Sequence, residues 1–372
     1  MEKNMLFHYG KSVSGAQFYD RTKMRQDVRA FLNGHQSLMI KGSRRYGKTS
    51  LIKQVFNDLE ITPFYIDLRR ISRLEQFNEA LLEYAYSKIG VTGVIKQLSN
   101  NLMTFLKTHR TTLKINVEIL ETTVELFAQE NSTVFDYFAN TLSIAHQIAK
   151  ESNQHFYMVL DEFQDIKRFS SKEIDLLELM RAEIQHHSNI TYVFLGSHMS
   201  IMTEIFENKK SPFFNFTRKL QMKPFELEEL NDQILTAFKT LRVIFADDND
   251  LCELLEKLGG HPANTMLVMQ NIENIVKRDN VEVITQELII KAYEDAYDEL
   301  TDLFVEYLRD IQTKEHLHDV MYRLAKDEKQ LLDSKLIYHK YSLLLEMGYI
   351  QKVEKGHYQI IDSLFKKFLC EV

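Results

Sequence analysis

Eight residues of this chain, Gly42-Ser43-Arg44-Arg45-Tyr46-Gly47-Lys48-Thr49, have the types and spacing of a phosphate loop, G-x-x-x-x-G-K-[ST]. The two glycines let the backbone curl until successive N–H groups face one point, where a triphosphate would carry its negative charge. Lys48 supplies a point charge for the β- and γ-phosphates, and the Thr49 hydroxyl is a ligand for Mg²⁺. The motif needs a strand before it and a helix after it. Residues 37–41 read as a short buried strand. Beyond the loop, Leu51, Ile52, Val55, Phe56 and Leu59 recur at helical spacing, so a helix opens at the Lys48-Thr49 pair. A nucleotide-binding protein is expected.

A second constellation supports it. Phe156-Tyr157-Met158-Val159-Leu160 is an unbroken apolar run of the kind that makes a central parallel strand, and it ends in Asp161-Glu162. Asp161 would hold Mg²⁺ through water beside Thr49, and Glu162 would orient or deprotonate an attacking water. Asp165 is a further carboxylate, read as a cap or a solvated residue. Ser197, where another strand ends, could bond the γ-phosphate or the water, or cap the helix expected at 199–207. Arg44 and Arg45 lie inside the loop, facing phosphate, a partner or solvent. Arg181 and Arg218 are candidates for a charge-stabilising arginine, Arg181 with a structural ion pair as its alternative. His261-Pro262 follows two glycines at a helix start and could touch nucleotide or shape a turn. No Asn-Lys-x-Asp motif is present, so adenine is expected over guanine.

These residues need a scaffold, and the rest of the chain describes one. At 372 residues, with 44% hydrophobic and 27% charged residues, it is long enough for two or three domains. Strands read over 63–68, 156–160 and 190–195 alternate with helices, which predicts right-handed crossovers and a doubly wound parallel sheet with helices on both faces. A β-hairpin is expected at 113–128. Beyond Pro224-Phe225 the strand signals stop: 226–310 read as helical, and the last sixty or so residues as two or three helices with a strand–turn–strand at 348–361. Two distant cysteines, Cys252 and Cys370, argue for a reducing compartment and against a zinc site. No apolar run is long enough for a membrane span, so a cytoplasmic location is expected. The net charge of −7 gives no overall polyanion-binding character, although residues 1–48 are rich in Lys and Arg.

Taken together, the residues resemble the archaeal-type ATPase family of P-loop proteins, related to the STAND and origin-recognition branches of the AAA+ class. The likeness runs through Phe18-Tyr19-Asp20-Arg21, the loop from Gly42 to Ser50, Val159-Leu160-Asp161-Glu162, Phe194-Leu195-Gly196-Ser197, Ser211-Pro212-Phe213-Phe214, Gly259-Gly260-His261-Pro262 and the close at Tyr358 to Phe365. It departs in one place, where Asp362-Ser363 stands for the family's Asp-Pro. The resemblance implies an ATPase core over 1–224, a helical lid over 225–313 and a C-terminal winged helix over 314–372. It also implies that Arg21 and the His261-Pro262 element flank the nucleotide. With Ser43, Tyr46 and Ser50 of the loop, these are the expected ATP/ADP contacts, and Lys48, Glu162 and Ser197 the catalytic ones.

Three functions fit. The first is an ATP-hydrolysing switch that reports its nucleotide state to a protein partner or by self-association, any effector being a separate polypeptide. The second is a DNA-binding ATPase using the winged helix, although that segment has as many acidic as basic residues. The third is a scaffold that binds ATP or ADP and barely turns it over.

Overall fold

The computed structural model describes residues 5–89, 133–314, 317–328, 335–354 and 356–372; the hairpin expected at 113–128 lies outside the described residues. Five parallel strands form one sheet: β1 (Leu38–Lys41), β2 (Phe64–Asp67), β3 (Phe156–Asp161), β4 (Ile190–Gly196) and β5 (Arg218–Gln221), in the spatial order β2-β3-β4-β1-β5. Alternation along the strands sorts their side chains onto two faces. Leu38, Ile40, Tyr157, Val159, Val193 and Leu195 meet Val28 and Leu32 of α1 (Thr22–Asn33) and Leu51, Ile52 and Val55 of α2 (Lys48–Asp58). Met39, Phe64, Ile66, Met158, Leu160, Tyr192 and Phe194 meet α3 (Leu74–Ser87), α4 (Val134–Glu151), α5 (Leu176–Ile184) and α6 (Met199–Glu207). The chain is therefore α/β, with a P-loop sheet covered on both faces.

The register fixes which residues share the sheet's C-terminal edge. Lys41 lies opposite Gly196, Leu160 opposite Phe194, and Asp67 opposite Asp161. The phosphate loop, the Asp161-Glu162 pair and Ser197 thus emerge side by side. Strand β5, which carries no alternating signal, is the edge beyond β1 among the described residues. It is only four residues long, with Arg218 and Lys219 exposed, and charge of that kind discourages pairing with another chain.

Past residue 225 the chain is mainly helical: α7 (Leu227–Thr240), α8 (Asp248–Lys257), α9 (Pro262–Asp279) and α10 (Gln286–Gln312). The expected end of strand signals is corrected by β6 (Ile244–Phe245) and β7 (Val283–Ile284), a parallel pair too short to show a period. Next come α11 (Leu317–Ala325), α12 (Lys335–Met347), the antiparallel hairpin of β8 (Ile350–Glu354) and β9 (His357–Ile360), and α13 (Ser363–Glu371). One hydrophobic cluster runs from Leu230 through Phe304 to Leu369, and it takes in Phe7 and Tyr19 from the start of the chain. The Leu6 and Phe7 amides donate to the fully buried Glu273 carboxylate at 2.8–3.0 Å, while the Val13 amide donates to Ser50 Oγ at 3.2 Å. This N-terminal segment joins α9 to the phosphate-loop helix.

Gly259 and Gly260 both have left-handed backbones (φ +61° and +62°) between α8 and α9, and a Cβ at Gly260 would lie 2.8 Å from the Phe225 carbonyl oxygen whereas one at Gly259 meets nothing. Gly260→Ala should therefore destabilise the protein by about 2 kcal/mol and Gly259→Ala by about 1 kcal/mol, from backbone conformation alone in the second case. Chemical denaturation of both variants checks this, and equal losses would contradict the close approach.

Candidate functional site

The helix α2 starts at Lys48 because Gly47 turns the chain with φ +80°, a conformation open to glycine at little cost. Gly42 is required for a different reason: a Cβ there would sit 2.5 Å from Met222 Cβ, against the residue following β5. The folded-over loop buries Lys48, whose Nζ donates to the carbonyl oxygens of Gly42 (2.8 Å) and Ser43 (3.0 Å). Burial pulls the Lys48 pKa down to about 8, against the charges of Glu162 and Asp161. A cation held at reduced basicity under a curl of backbone amides is built to receive an anion.

Thr49 Oγ1 donates to Asp161 Oδ2 at 2.8 Å, and the Tyr65 hydroxyl donates to the same oxygen. A hydroxyl and a carboxylate at this separation fit the hard-oxygen donor set of Mg²⁺, which completes its octahedron with water and phosphate oxygens. Glu162 sits in a left-handed conformation (φ +51°) that turns its side chain toward β4. Its Oε2 accepts from the Ser197 amide (3.1 Å), the Ser197 hydroxyl (2.6 Å) and Gln164 Nε2 (2.7 Å), and its Oε1 from Arg69 Nη2 (3.1 Å). Burial works to raise the Glu162 pKa, but the Gln164 and Ser197 donors with the Lys48 and Arg69 charges hold it below the ordinary carboxylate range. Ser197 serves this network; the cap position of α6 belongs to His198.

The remaining expected residues divide. His261 is buried, caps α9 by accepting the Asn264 amide on Nδ1 (3.3 Å), and meets the Tyr46 ring edge-on at 5.2 Å, with Pro262 next to it in the first turn. Arg45 Nη1 donates to the Tyr9 hydroxyl at 2.9 Å, and the Ser50 hydroxyl accepts the Val13 amide, as described. Arg21 is buried, donates to the Pro224 carbonyl at 3.1 Å and stacks over Phe225 at 4.8 Å, tying the head of α1 to the start of the helical region. Asp165 lies in a 3₁₀ turn after Glu162, its amide donating to the Glu162 carbonyl at 2.9 Å.

Two candidates are not brought to the loop. Arg218 begins β5 opposite Leu38, at the N-terminal end of the sheet, where it donates to Gln36 Oε1 at 2.9 Å. Arg181 lies 4.5 Å over the Phe216 ring and donates to Gln185 Oε1 at 3.3 Å, and among the described residues it has no ion pair. The parallel register sets the start of β5 at the sheet edge opposite the loop, and Arg181 lies over Phe216, two residues before that start, so both sit away from Lys48.

Sequence reading missed Tyr65, Arg69 and Gln164. Tyr65 had a signal: it shares the strand face of Val159 and Asp161, the α2 side. Arg69 follows the end of β2 in a turn and had none. Also unforeseen is the roof. A cleft of about 810 Å³, counting its open mouth, has Ser43, Arg44, Arg45 and Ser197 on one wall and Tyr307, Lys314, Tyr349 and Asp362 from the C-terminal segments on the other. Asp362 caps α13, accepting the Leu364 and Phe365 amides at 3.0 and 3.1 Å, and also accepts Asn264 Nδ2 at 2.7 Å. The residue that stands where a proline was expected, Ser363, leaves this cap intact.

Residues 18–269 match the family described as an ATPase domain predominantly from Archaea. Among solved structures, the Walker-type ATPase PABY2304 of Pyrococcus abyssi is similar with a TM-score of 0.66 and 17% identity, covering 98% of this chain and 99% of its own. The ORC2 protein of Aeropyrum pernix, in ADPNP-ADP complexes, is similar with a TM-score of 0.57 and 14% identity, covering 95% and 94%. None of the curated protein sequences matches the chain.

An anion bound at the loop restores the charged form of Lys48, so ATP binding should take up a proton where the free lysine is neutral, above about pH 8. Affinity should fall up to about tenfold per pH unit across that window and stay level with respect to this group below pH 7. Calorimetry at pH 8.5 in two buffers of different ionisation enthalpy measures the proton directly. A buffer-independent heat would sink the assignment.

Proposed function

Because the chain belongs to the family of ATPase domains found predominantly in Archaea, we propose that it is an ATP-hydrolysing molecular switch that signals its nucleotide state to a protein partner. ATP occupies the loop from Gly42 to Ser50, with Lys48 on the β- and γ-phosphates. Thr49 and Asp161 hold Mg²⁺, which would neutralise phosphate charge and fix the geometry of the triphosphate. Glu162 positions the attacking water, and Ser197 holds Glu162 and lies beside the γ-phosphate. Residues 225–313 act as a lid and 314–372 as a winged helix, and these units move when the nucleotide changes. The Aeropyrum pernix ORC2 structure, which carries ADPNP and ADP, supports an adenine nucleotide.

One observation carries the reading: Ser43, Arg44 and Arg45 of the phosphate loop, Ser197, which holds Glu162, and the C-terminal segments line a single cleft. A reaction at the loop therefore faces the part of the chain that would report it. A protein partner is favoured over DNA because Leu336, Tyr338 and Val353 of α12 and its hairpin are exposed, and residues 315–372 carry as many acidic as basic residues.

Mg²⁺-dependent phosphate release by the wild type, Lys48→Ala and Glu162→Gln, with and without double-stranded DNA at low salt, is the test. Wild type should be slow and indifferent to DNA, and each variant should lose at least about 100-fold in rate. Glu162→Gln should also hold an ATP-dependent conformation or oligomer that wild type leaves. Stimulation by DNA would favour the DNA-binding ATPase instead. Tight ATP binding with no turnover in any preparation would overturn the role of Glu162.

A further inference from the structure

With Arg181 and Arg218 at the far end of the sheet, any cation that joins Lys48 and Arg69 near the end of the triphosphate has to come from elsewhere. The cleft holds Arg44 and Arg45 on the loop and Lys314 on the opposite wall, just after the last turn of α10. Arg45 is engaged by Tyr9. Arg44 and Lys314 are both exposed to the cleft, and neither is paired with a carboxylate among the described residues.

The acids of the same cleft are Asp310 and Asp362. Asp310 accepts the Tyr349 hydroxyl at 3.1 Å, and Asp362 accepts two backbone amides and the Asn264 side chain. Against these two carboxylates the cleft sets three cations, Arg44, Arg45 and Lys314, so its balance is positive, and one of those charges comes from the C-terminal half. That wall is also docked at the reacting end: His198, the neighbour of Ser197, lies with Nδ1 3.3 Å from the Glu346 carbonyl of α12.

We propose that Lys314 is a ligand of the terminal phosphate, so that the cleft distinguishes ATP from ADP through a cation supplied by the C-terminal side. The inference rests on the loop's being an ATP site. Closing Lys314 and Arg44 on the γ-phosphate from opposite walls would draw the two together only when that phosphate is present. A lysine after a helix C-terminus ordinarily serves the helix dipole. That role would show in stability and would leave the choice between nucleotides unchanged.

The test is the ratio of ATP to ADP affinity, measured by calorimetry on the full chain in the Glu162→Gln background with Mg²⁺. Lys314→Ala should weaken ATP by about tenfold and ADP by less than about twofold, the loss expected for one charge-assisted contact. Lys314→Arg should restore most of the ATP affinity, and Lys352→Ala, on the hairpin away from the cleft, should change neither. An unchanged ratio in Lys314→Ala, or an equal loss of both nucleotides, would overturn the proposal while leaving the ATP site standing. If the parent chain bound neither nucleotide, or if Lys48→Ala bound both as well as the parent does, the ATP reading would fail and this proposal with it.

Discussion

A lysine buried beside two buried carboxylates is the interaction on which the rest of this structure depends. Lys48, Asp161 and Glu162 are each less than a tenth exposed. An isolated charge in such a place is costly, and removing one of a set leaves the others without compensation. The fold offsets that cost by placement. Parity along β3 puts Asp161 on the face of α2, where Thr49 and Tyr65 reach it. The left-handed turn at Glu162 then carries the next carboxylate to the side of β4, where Ser197 and Gln164 supply donors. A strained non-glycine backbone persists only where its surroundings over-determine it, and here four hydrogen bonds do so.

Much of this was legible because it is local. The phosphate loop is eight contiguous residues, and the carboxylate pair ends an apolar run whose length and composition already said central strand. Parity alone would have added Tyr65. What sequence could not supply was the order and direction in which strands meet. Arg218 looks serviceable as an isolated cation, but the parallel register of β5 with β1 sends it to the wrong edge. Ser197 stood between two roles because one residue decides them: the helix begins at Met199, so His198 takes the cap and Ser197 is free for Glu162. The roof was illegible for a plainer reason. Its residues come from the end of α10, the turn before β8 and the start of α13, which only tertiary packing brings together.

That packing also explains why the loop is so firmly connected to the remainder of the chain. The segment holding Phe7 is anchored in the C-terminal cluster by Glu273 and reaches the phosphate-loop helix at Ser50. Arg21 binds the backbone at Pro224, and His198 meets the end of α12. These contacts, with Tyr46 against His261, run from the α/β half to the helical half, and each begins within a few residues of the candidate site or at the head of α1. Small shifts at the loop have several rigid routes outward, because close-packed interfaces transmit displacement and do not absorb it.

The state of Glu162 gives the proposed switch its physical content. Both of its oxygens accept hydrogen bonds, and its basicity is held down by those donors and by two neighbouring cations. A carboxylate so occupied is a poor acceptor for a proton from water. In the proposed cycle, turnover therefore waits on the release of one of those donors. The amide and hydroxyl of Ser197 are the ones whose position is coupled to the helical half, since the next residue contacts α12. Retreat of α12 would loosen Ser197, free an oxygen of Glu162 and permit hydrolysis, whereas a docked α12 would keep the carboxylate engaged. The rate of the reaction and the position of the C-terminal segments are then one variable, which is what separates a switch from an enzyme that merely turns over slowly.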